Sequence, residues 1–341
     1  MNPAMSSRSA VPIAVLGAGS WGTALALLLA RNGCQVRLWG RDKTIMHEAA
    51  QQRRNPRYLS DLPFPDNLES THDLAYAVGA ARDILLTVPS SAFRSTLHAI
   101  KPLSRLGARV LWATKGLEQG SCGLLHQVVA EVLGHALSTA VISGPSFASE
   151  VAHGLPTAIT VASLDSAFAQ DIVRAFHSRT FRAYTTDDVI GVEIGGALKN
   201  VLAIAAGISD GLGFGANARS ALITRGLTEM VRLGVALGGR RETLMGLSGL
   251  GDLILTCTDN QSRNRRLGLA LGQGMTLEQA LQSIDQVVEG VQTAREVYEL
   301  ARSHGVNMPI ADQVYAVLYT GLTPRAAVSL LLERAQKSEI F

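Results

Sequence analysis

Apolar residues fall in two rhythms along this chain. Over roughly the first half, short aliphatic and β-branched runs alternate with stretches of helical spacing. Residues 11–16 read as a buried strand. A glycine-rich turn follows, and 23–32 read as an Ala/Leu helix closed by Gly33, a residue suited to a helix C-terminus. A second strand is expected at 35–39, and further ones at 84–88, 109–113, 140–143 and 158–162, with helices between most of them. That alternation predicts βαβ units in a parallel, doubly wound sheet of the Rossmann type. Beyond about residue 190 the period changes. Residues 194–208, 218–237, 276–284, 290–304, 310–319 and 324–333 carry helical spacing, and no strand pattern of comparable length appears. The expected class is α/β: a Rossmann-type sheet over 1–188, followed by an all-α domain over 189–341.

Composition narrows the function. Of 341 residues, 47% are apolar and only 17% charged, which suits packed cores and argues against disorder. A net charge of +3 and no long basic run leave no footprint for a nucleic acid; the densest cluster, Arg263, Arg265 and Arg266, could serve a single phosphate. Cys34, Cys122 and Cys257 make no zinc or redox spacing and read as buried thiols of a cytoplasmic protein. No metal site is expected. The first ten residues hold no apolar core of signal-peptide length, and the longest apolar run, 24–30, is too short for an integral membrane segment.

The turn after the first strand is Gly17-Ala18-Gly19-Ser20-Trp21-Gly22. As a bare pattern it is weak. Here it has a strand before it, a helix after it, and an acid, Asp42, about 20 residues on. Gly17 permits a tight turn, Gly19 lets the backbone approach a pyrophosphate, and Gly22 lets helix and strand pack closely. The helix N-terminus then offers free N–H groups to phosphates. The pattern points to a dinucleotide. Arg41 precedes Asp42 at the end of the second strand and can pair with a 2′-phosphate, so NADP(H) is favoured while NAD(H) stays open.

Lysine is scarce: Lys43, Lys101, Lys115, Lys199 and Lys337 are all there are. Lys115, in Trp112-Ala113-Thr114-Lys115-Gly116, follows a strand, at the sheet edge where open α/β folds bind ligands; a solvated surface lysine is the plainer alternative. Gly144-Pro145-Ser146-Phe147-Ala148 follows another strand and can offer N–H groups and a hydroxyl. Lys199 and Asn200 sit mid-helix among small and apolar residues, where an ammonium either snorkels to solvent or exchanges a proton. If the substrate is a ketone, hydride attack leaves an alkoxide that an ammonium can stabilise and protonate. Asp252, between apolar residues, needs buried partners such as lysines or substrate hydroxyls. Asn260-Gln261-Ser262-Arg263-Asn264 reads as a helix start with dense donors, suited to a phosphate monoester.

These motifs, with Gly-Ala-Leu-Lys-Asn at 196–200, Gly-Leu-Gly-Asp-Leu at 249–253 and Val-Val-Glu-Gly at 287–290, resemble in content and order the bacterial NAD(P)-dependent glycerol-3-phosphate dehydrogenases, from about residue 13 to 332. The resemblance implies an oxidoreductase that reversibly reduces dihydroxyacetone phosphate to sn-glycerol 3-phosphate, a precursor for phospholipid biosynthesis, in the cytoplasm and as a homodimer. It implies cofactor contacts from Ser20, Trp21, Arg41, Lys115, Ala148, Arg263, Val287 and Glu289. It implies substrate contacts from Lys115, Gly144, Ser146, Lys199, Asn200, Asp252, Ser262, Arg263 and Asn264. Lys199 matches the family's proton donor, with Lys115 and Asp252 as its catalytic companions. Ser146 stands where many members carry Thr, which keeps the hydroxyl. Together these readings place two ammonium groups over a ketone oxygen. The rivals are another lysine-dependent NADP reductase, such as a ketopantoate reductase or a β-hydroxyacid dehydrogenase, and a catalytically silent NADP-binding regulator. The first would not need the segment 260–264; the second would not need Lys115, Lys199 and Asp252.

Overall fold

A computed structural model describes residues 11–284 and 286–335. Residues 1–10, whose sequence holds no signal-peptide core, and Lys337 lie outside the described residues. The chain divides into two compact units: residues 11–118 with Gly123–Glu193, and Gln119–Cys122 with the residues from Ile194 onward.

The first unit is built on eight strands: β1 (Ile13–Leu16), β2 (Val36–Trp39), β3 (Leu68–Thr71), β4 (Asp83–Leu86), β5 (Arg109–Trp112), β6 (Thr139–Ser143), β7 (Thr157–Ala162) and β8 (Phe181–Thr186). Their order across the sheet is β3-β2-β1-β4-β5-β6-β7-β8. β1 therefore lies at the switch point, paired in parallel with β2 on one side and β4 on the other. Val15, Leu38, Leu85 and Leu111 face the layer that contains helix Ser20–Arg31; Leu16, Ile84, Leu86 and Trp112 face the other. Burial on both faces is why β1, β4 and β5 read as unbroken apolar runs.

The sheet is not wholly parallel. β7 runs antiparallel to β6, and β8 then follows β7 in parallel. The β6–β7 connection carries only the short helix Ala148–Ala152, which returns the chain beside β6 without a full crossover. The sequence reading also missed β3 and β8. Both are edge strands with little buried surface, and polar residues such as Glu69, Ser70, Arg182 and Thr185 dilute their apolar signal.

Among the described residues the second unit holds helices and no strand. Its main helices are Val189–Gly211, which begins in the first unit, then Gly215–Ala236, Asp252–Thr258, Arg263–Gly272, Leu277–Ile284, Glu289–Ser303, Pro309–Tyr319 and Pro324–Leu332. Val189–Gly211 is long and apolar enough to cross a membrane by length and composition, a property hidden from a search for uninterrupted apolar runs by Glu193, Lys199 and Asn200. Here 89% of its apolar window is buried inside the protein, as befits a core helix. Glycines set how closely it packs. A Cβ on Gly207 would meet the Arg265 carbonyl oxygen at 2.1 Å, and one on Gly268 would meet that of Ile204 at 2.0 Å. These paired small residues let the backbone of Arg263–Gly272 lie directly on the central helix.

Candidate active site

In the first unit, the expected residues gather beyond the carboxyl ends of the parallel strands. Gly17 follows β1 with φ +119° and lies against Thr87, beyond β4, with no room for a Cβ. Gly22 has equally little, since its Cβ would sit 1.9 Å from the Gly17 oxygen. Gly19 is different: nothing lies within 4 Å of its Cβ position, so the loop is open where a ligand would approach. Helix Ser20–Arg31 begins inside this loop, three residues earlier than the periodicity suggests. The first N–H groups of a helix have no intrahelical acceptor, so Ser20 and Trp21 present donors there. The Trp21 indole Nε1 is buried with no hydrogen-bond partner. An open glycine, free helix donors and an orphaned indole fit a phosphorylated ligand with an extended aromatic or sugar portion.

Beyond β2, Asp42 caps helix Lys43–Gln52, its Oδ1 accepting from Thr44 N at 2.9 Å and Ile45 N at 3.0 Å. The carboxylate is thus engaged with its own helix, while Arg41 is exposed. Beyond β5, the Lys115 Nζ donates to the Gly144 carbonyl at 3.3 Å, and the Ser146 hydroxyl donates to the same oxygen at 2.9 Å. Lys115, Gly144 and Ser146 therefore converge at the ends of β5 and β6, with Ala148 heading the next helix. Gly144 has φ +151° and lies 2.8 Å, measured from its Cβ position, from the Ile159 Cα.

The second unit buries a charged cluster. Lys199, mid-helix and 8% exposed, donates to Asp252 Oδ1 at 2.6 Å and to Thr256 Oγ1 at 3.1 Å. Asp252 and Thr256 stand one turn apart on Asp252–Thr258, so they share a face. A single π-type turn, Leu247–Gly251, delivers that helix. Glycines pack it closely: Gly249 lies on the Leu244 carbonyl, 1.9 Å from its Cβ position, and Gly195 lets the central helix approach the Ser248 oxygen to 2.4 Å by the same measure. The Cys257 thiol next to Thr256 is pushed up to about 12 by burial, against the pull of Lys199 and Arg265, so it stays a neutral packing group.

A second layer surrounds the ion pair. Asn264 Nδ2 donates to Asn200 Oδ1 at 2.9 Å, and Asn264 Oδ1 accepts from Gly290 N at 2.9 Å. The network joins the central helix, Arg263–Gly272 and Glu289–Ser303. Asn200 Nδ2 is buried with no partner, a donor left over for a ligand. Ser262 caps Arg263–Gly272, its hydroxyl accepting from Arg265 N at 3.2 Å. Arg263 opens that helix and is half-buried. Arg265, in contrast, is locked into the fold by the Cys257 carbonyl and Asp210. Val287 is exposed and Glu289 begins the helix that contains Gly290.

The structure thus forms two clusters, one per unit: Gly17, Gly19, Ser20, Trp21, Gly22, Arg41, Lys115, Gly144, Ser146 and Ala148 at the strand ends, and Lys199, Asn200, Asp252, Ser262, Arg263, Asn264 and Glu289 among the helices. Sequence reasoning missed Thr256, Thr87 and Asn55. Thr256 carried a signal, its spacing of four from Asp252. Thr87 and Asn55 carried none, because they reach the glycine loop across the fold.

Comparison with known proteins identifies the family. Residues 12–169 match the family model for the N-terminus of NAD-dependent glycerol-3-phosphate dehydrogenase, and residues 188–329 match that for its C-terminus. The chain is 57% identical over 333 residues to a glycerol-3-phosphate dehydrogenase [NAD(P)+] of Stenotrophomonas maltophilia, covering 98% of both chains. It is 61% identical over 329 residues to the corresponding protein of Thioalkalivibrio sulfidiphilus, covering 96% of this chain and 98% of the relative. The crystal structure of glycerol-3-phosphate dehydrogenase from Coxiella burnetii superposes with a TM-score of 0.92 at 53% identity, covering 95% of this chain and 99% of the other.

Proposed function

The chain belongs to the NAD-dependent glycerol-3-phosphate dehydrogenase family, and from that premise we propose that it interconverts dihydroxyacetone phosphate and sn-glycerol 3-phosphate with NADP(H) or NAD(H). When bound, the reduced nicotinamide supplies a hydride to the ketone carbon. The protein's own residues do the rest. The glycine loop and the start of Ser20–Arg31 hold the pyrophosphate. Arg41 meets the 2′-phosphate, so NADP(H) is the preferred form. The start of Arg263–Gly272, with Arg263 and Asn264, holds the substrate phosphate. Lys199 gives its proton to the oxygen that receives the carbonyl electrons, and takes one back in the reverse direction. Asp252 and Thr256 seat that ammonium, Asn200 donates to a substrate oxygen, and Lys115 with the Ser146 hydroxyl adds polar contacts at the rim of the nucleotide unit. Ala148, Val287 and Glu289 are assigned to the cofactor on family likeness.

The observation that carries the reading is the buried Lys199–Asp252–Thr256 cluster, with the Nδ2 of the next residue, Asn200, buried and without a partner. A proton donor and an oxygen ligand stand there on a helix that a purely structural role would have filled with apolar residues. The proposal extends to a cytoplasmic homodimer whose product supplies glycerophospholipid synthesis. The test is a steady-state assay with dihydroxyacetone phosphate and each reduced nicotinamide. Turnover with both, faster with NADPH, is expected. Reduction of a phosphate-free ketoacid but not of dihydroxyacetone phosphate would overturn it.

A further inference from the structure

We propose that Asn55 is a positioning residue for the dinucleotide, locking the peptide between Ala18 and Gly19 so that the glycine loop shows donors to the phosphates. The inference rests on the reading that this loop holds a dinucleotide.

Asn55 lies on the excursion between Lys43–Gln52 and β3 and is 1% exposed. All four of its hydrogen-bonding positions are used. Its Oδ1 accepts from Arg57 N at 3.2 Å and Tyr58 N at 3.1 Å, which folds its own turn. Its Nδ2 donates to the Ala18 carbonyl at 3.0 Å and to Thr23 Oγ1 at 2.9 Å. One half of the side chain shapes the excursion; the other half grips the loop and the helix that follows it.

Ala18 stands between two glycines. A peptide plane beside glycine can turn over at low cost, because glycine accepts either sign of φ. Turning the Ala18–Gly19 plane would exchange the Gly19 N–H with the Ala18 carbonyl, placing an acceptor where an anion needs a donor. Asn55 holds the carbonyl on its own side, and the planar trans peptide then sends the Gly19 N–H to the opposite side. Thr87 does the matching job one residue earlier, its hydroxyl set against the Gly17 and Leu16 carbonyls at 2.9 and 3.0 Å. The loop owes its openness to glycine and its fixed polarity to these two side chains.

Asn55→Asp separates the two halves. It keeps the acceptor that forms the turn, loses the donor, and sets a carboxylate against the Ala18 oxygen. Isothermal titration of the full chain with NADPH should show the dissociation constant rising at least ~10-fold. KM for NADPH should rise in parallel, while kcat at saturating NADPH and KM for dihydroxyacetone phosphate stay within about 2-fold. Thr23→Val, which removes one of the two Nδ2 acceptors, should give a smaller rise, roughly 2- to 5-fold. An unchanged NADPH affinity in Asn55→Asp overturns the proposal, as does a parallel worsening of KM for the ketone and of the thermal midpoint. If Asn55→Asp does not fold, an unchanged affinity in Thr23→Val overturns it. Wild-type protein that binds NADPH but does not turn over the ketone would refute the proposed reaction and leave this test standing. Wild type that binds no nicotinamide would refute both.

Discussion

The two units offer positive charge in opposite ways. In the nucleotide unit the charge comes from loops and helix ends at the rim of a sheet: Arg41 is exposed, and Lys115 reaches a backbone carbonyl. In the helical unit it is buried and held by side chains, with Lys199 on Asp252 and Arg265 on Asp210. A rim site is made by the fold and can be retuned at little cost. A buried site is part of the core, since an ion deprived of its partner there is strongly disfavoured. Chemistry and stability should therefore separate in the first unit and travel together in the second.

The sharpest test is a pair of truncations. Lys199→Ala should lower kcat roughly 10²- to 10⁴-fold, the range for loss of a general acid. It should also lower unfolding stability by about 3–5 kcal/mol, because Asp252 stays buried without its ammonium. Lys115→Ala should lower activity with a much smaller change in stability. Denaturant melts of both variants beside their kcat values decide the matter. Equal destabilisation would erase the contrast, and a near-normal kcat for Lys199→Ala would remove this lysine from the mechanism.

Within the helical unit, Arg263 is the exception that behaves like a rim residue: it opens its helix and is half-buried, two positions before the locked Arg265. Arg263→Ala should raise KM for dihydroxyacetone phosphate by about 10- to 100-fold, the loss of a charge-assisted contact of ~2 kcal/mol, and leave a phosphate-free ketone such as hydroxyacetone as poor a substrate as before. An equal loss with hydroxyacetone would show that Arg263 does not act on the phosphate.

The same contrast explains what the sequence discloses. The nucleotide site is legible because its requirements are local: three glycines, a strand and a helix within a short span. The reading stopped where contacts are non-local. Asn55 is 37 residues from Ala18, with nothing between them to suggest a bond. Lys199 and Asp252 each announced themselves as charges among apolar neighbours, yet nothing in their spacing paired them; 53 residues and a π-type turn bring them together. Thr256 carried only its spacing of four from Asp252, a faint signal because threonine is ordinary in a helix. The edge strands β3 and β8 hid because an edge has only one neighbour to bury it. The family likeness supplied residue roles that spacing alone did not.

Buried charge in the helical unit should also show in its response to pH. Glu296 is raised to about 7, chiefly by burial, with Glu299 adding to the rise and Gln292 and Arg295 opposing it; its Oε2 is buried without a partner. Glu229, which accepts from Ile310 N and Ala311 N at the start of Pro309–Tyr319, is raised to about 7 by the same burial. Both folded values lie above the ordinary carboxyl value of 4.5. Between about pH 4.5 and 7 the unfolded chain has released protons that the folded chain retains, so these groups favour folding at the acid end and lose that contribution as pH rises to 7. Chemical melts across that window should show stability falling by about 1–3 kcal/mol per group. Glu296→Gln should roughly halve the slope. A slope unchanged by the substitution would mean that Glu296 ionises normally.

The smallest effect belongs to an exposed cation. With the Asp42 carboxylate engaged in capping its helix, Arg41 is an exposed cation at the end of β2, where the proposed reading sets the 2′-phosphate that distinguishes NADPH from NADH. A contact so open to water gains little from Coulomb attraction, and screening reduces it further. Arg41→Ala should therefore raise KM for NADPH only about 5-fold, or ~1 kcal/mol, with KM for NADH nearly constant and melting unaffected. Raising ionic strength should shrink the proposed wild-type preference for NADPH in the same direction, and the variant should respond less to salt. Proportional losses with the two cofactors would place Arg41 away from the 2′-position and leave the discrimination to uncharged groups of the glycine loop.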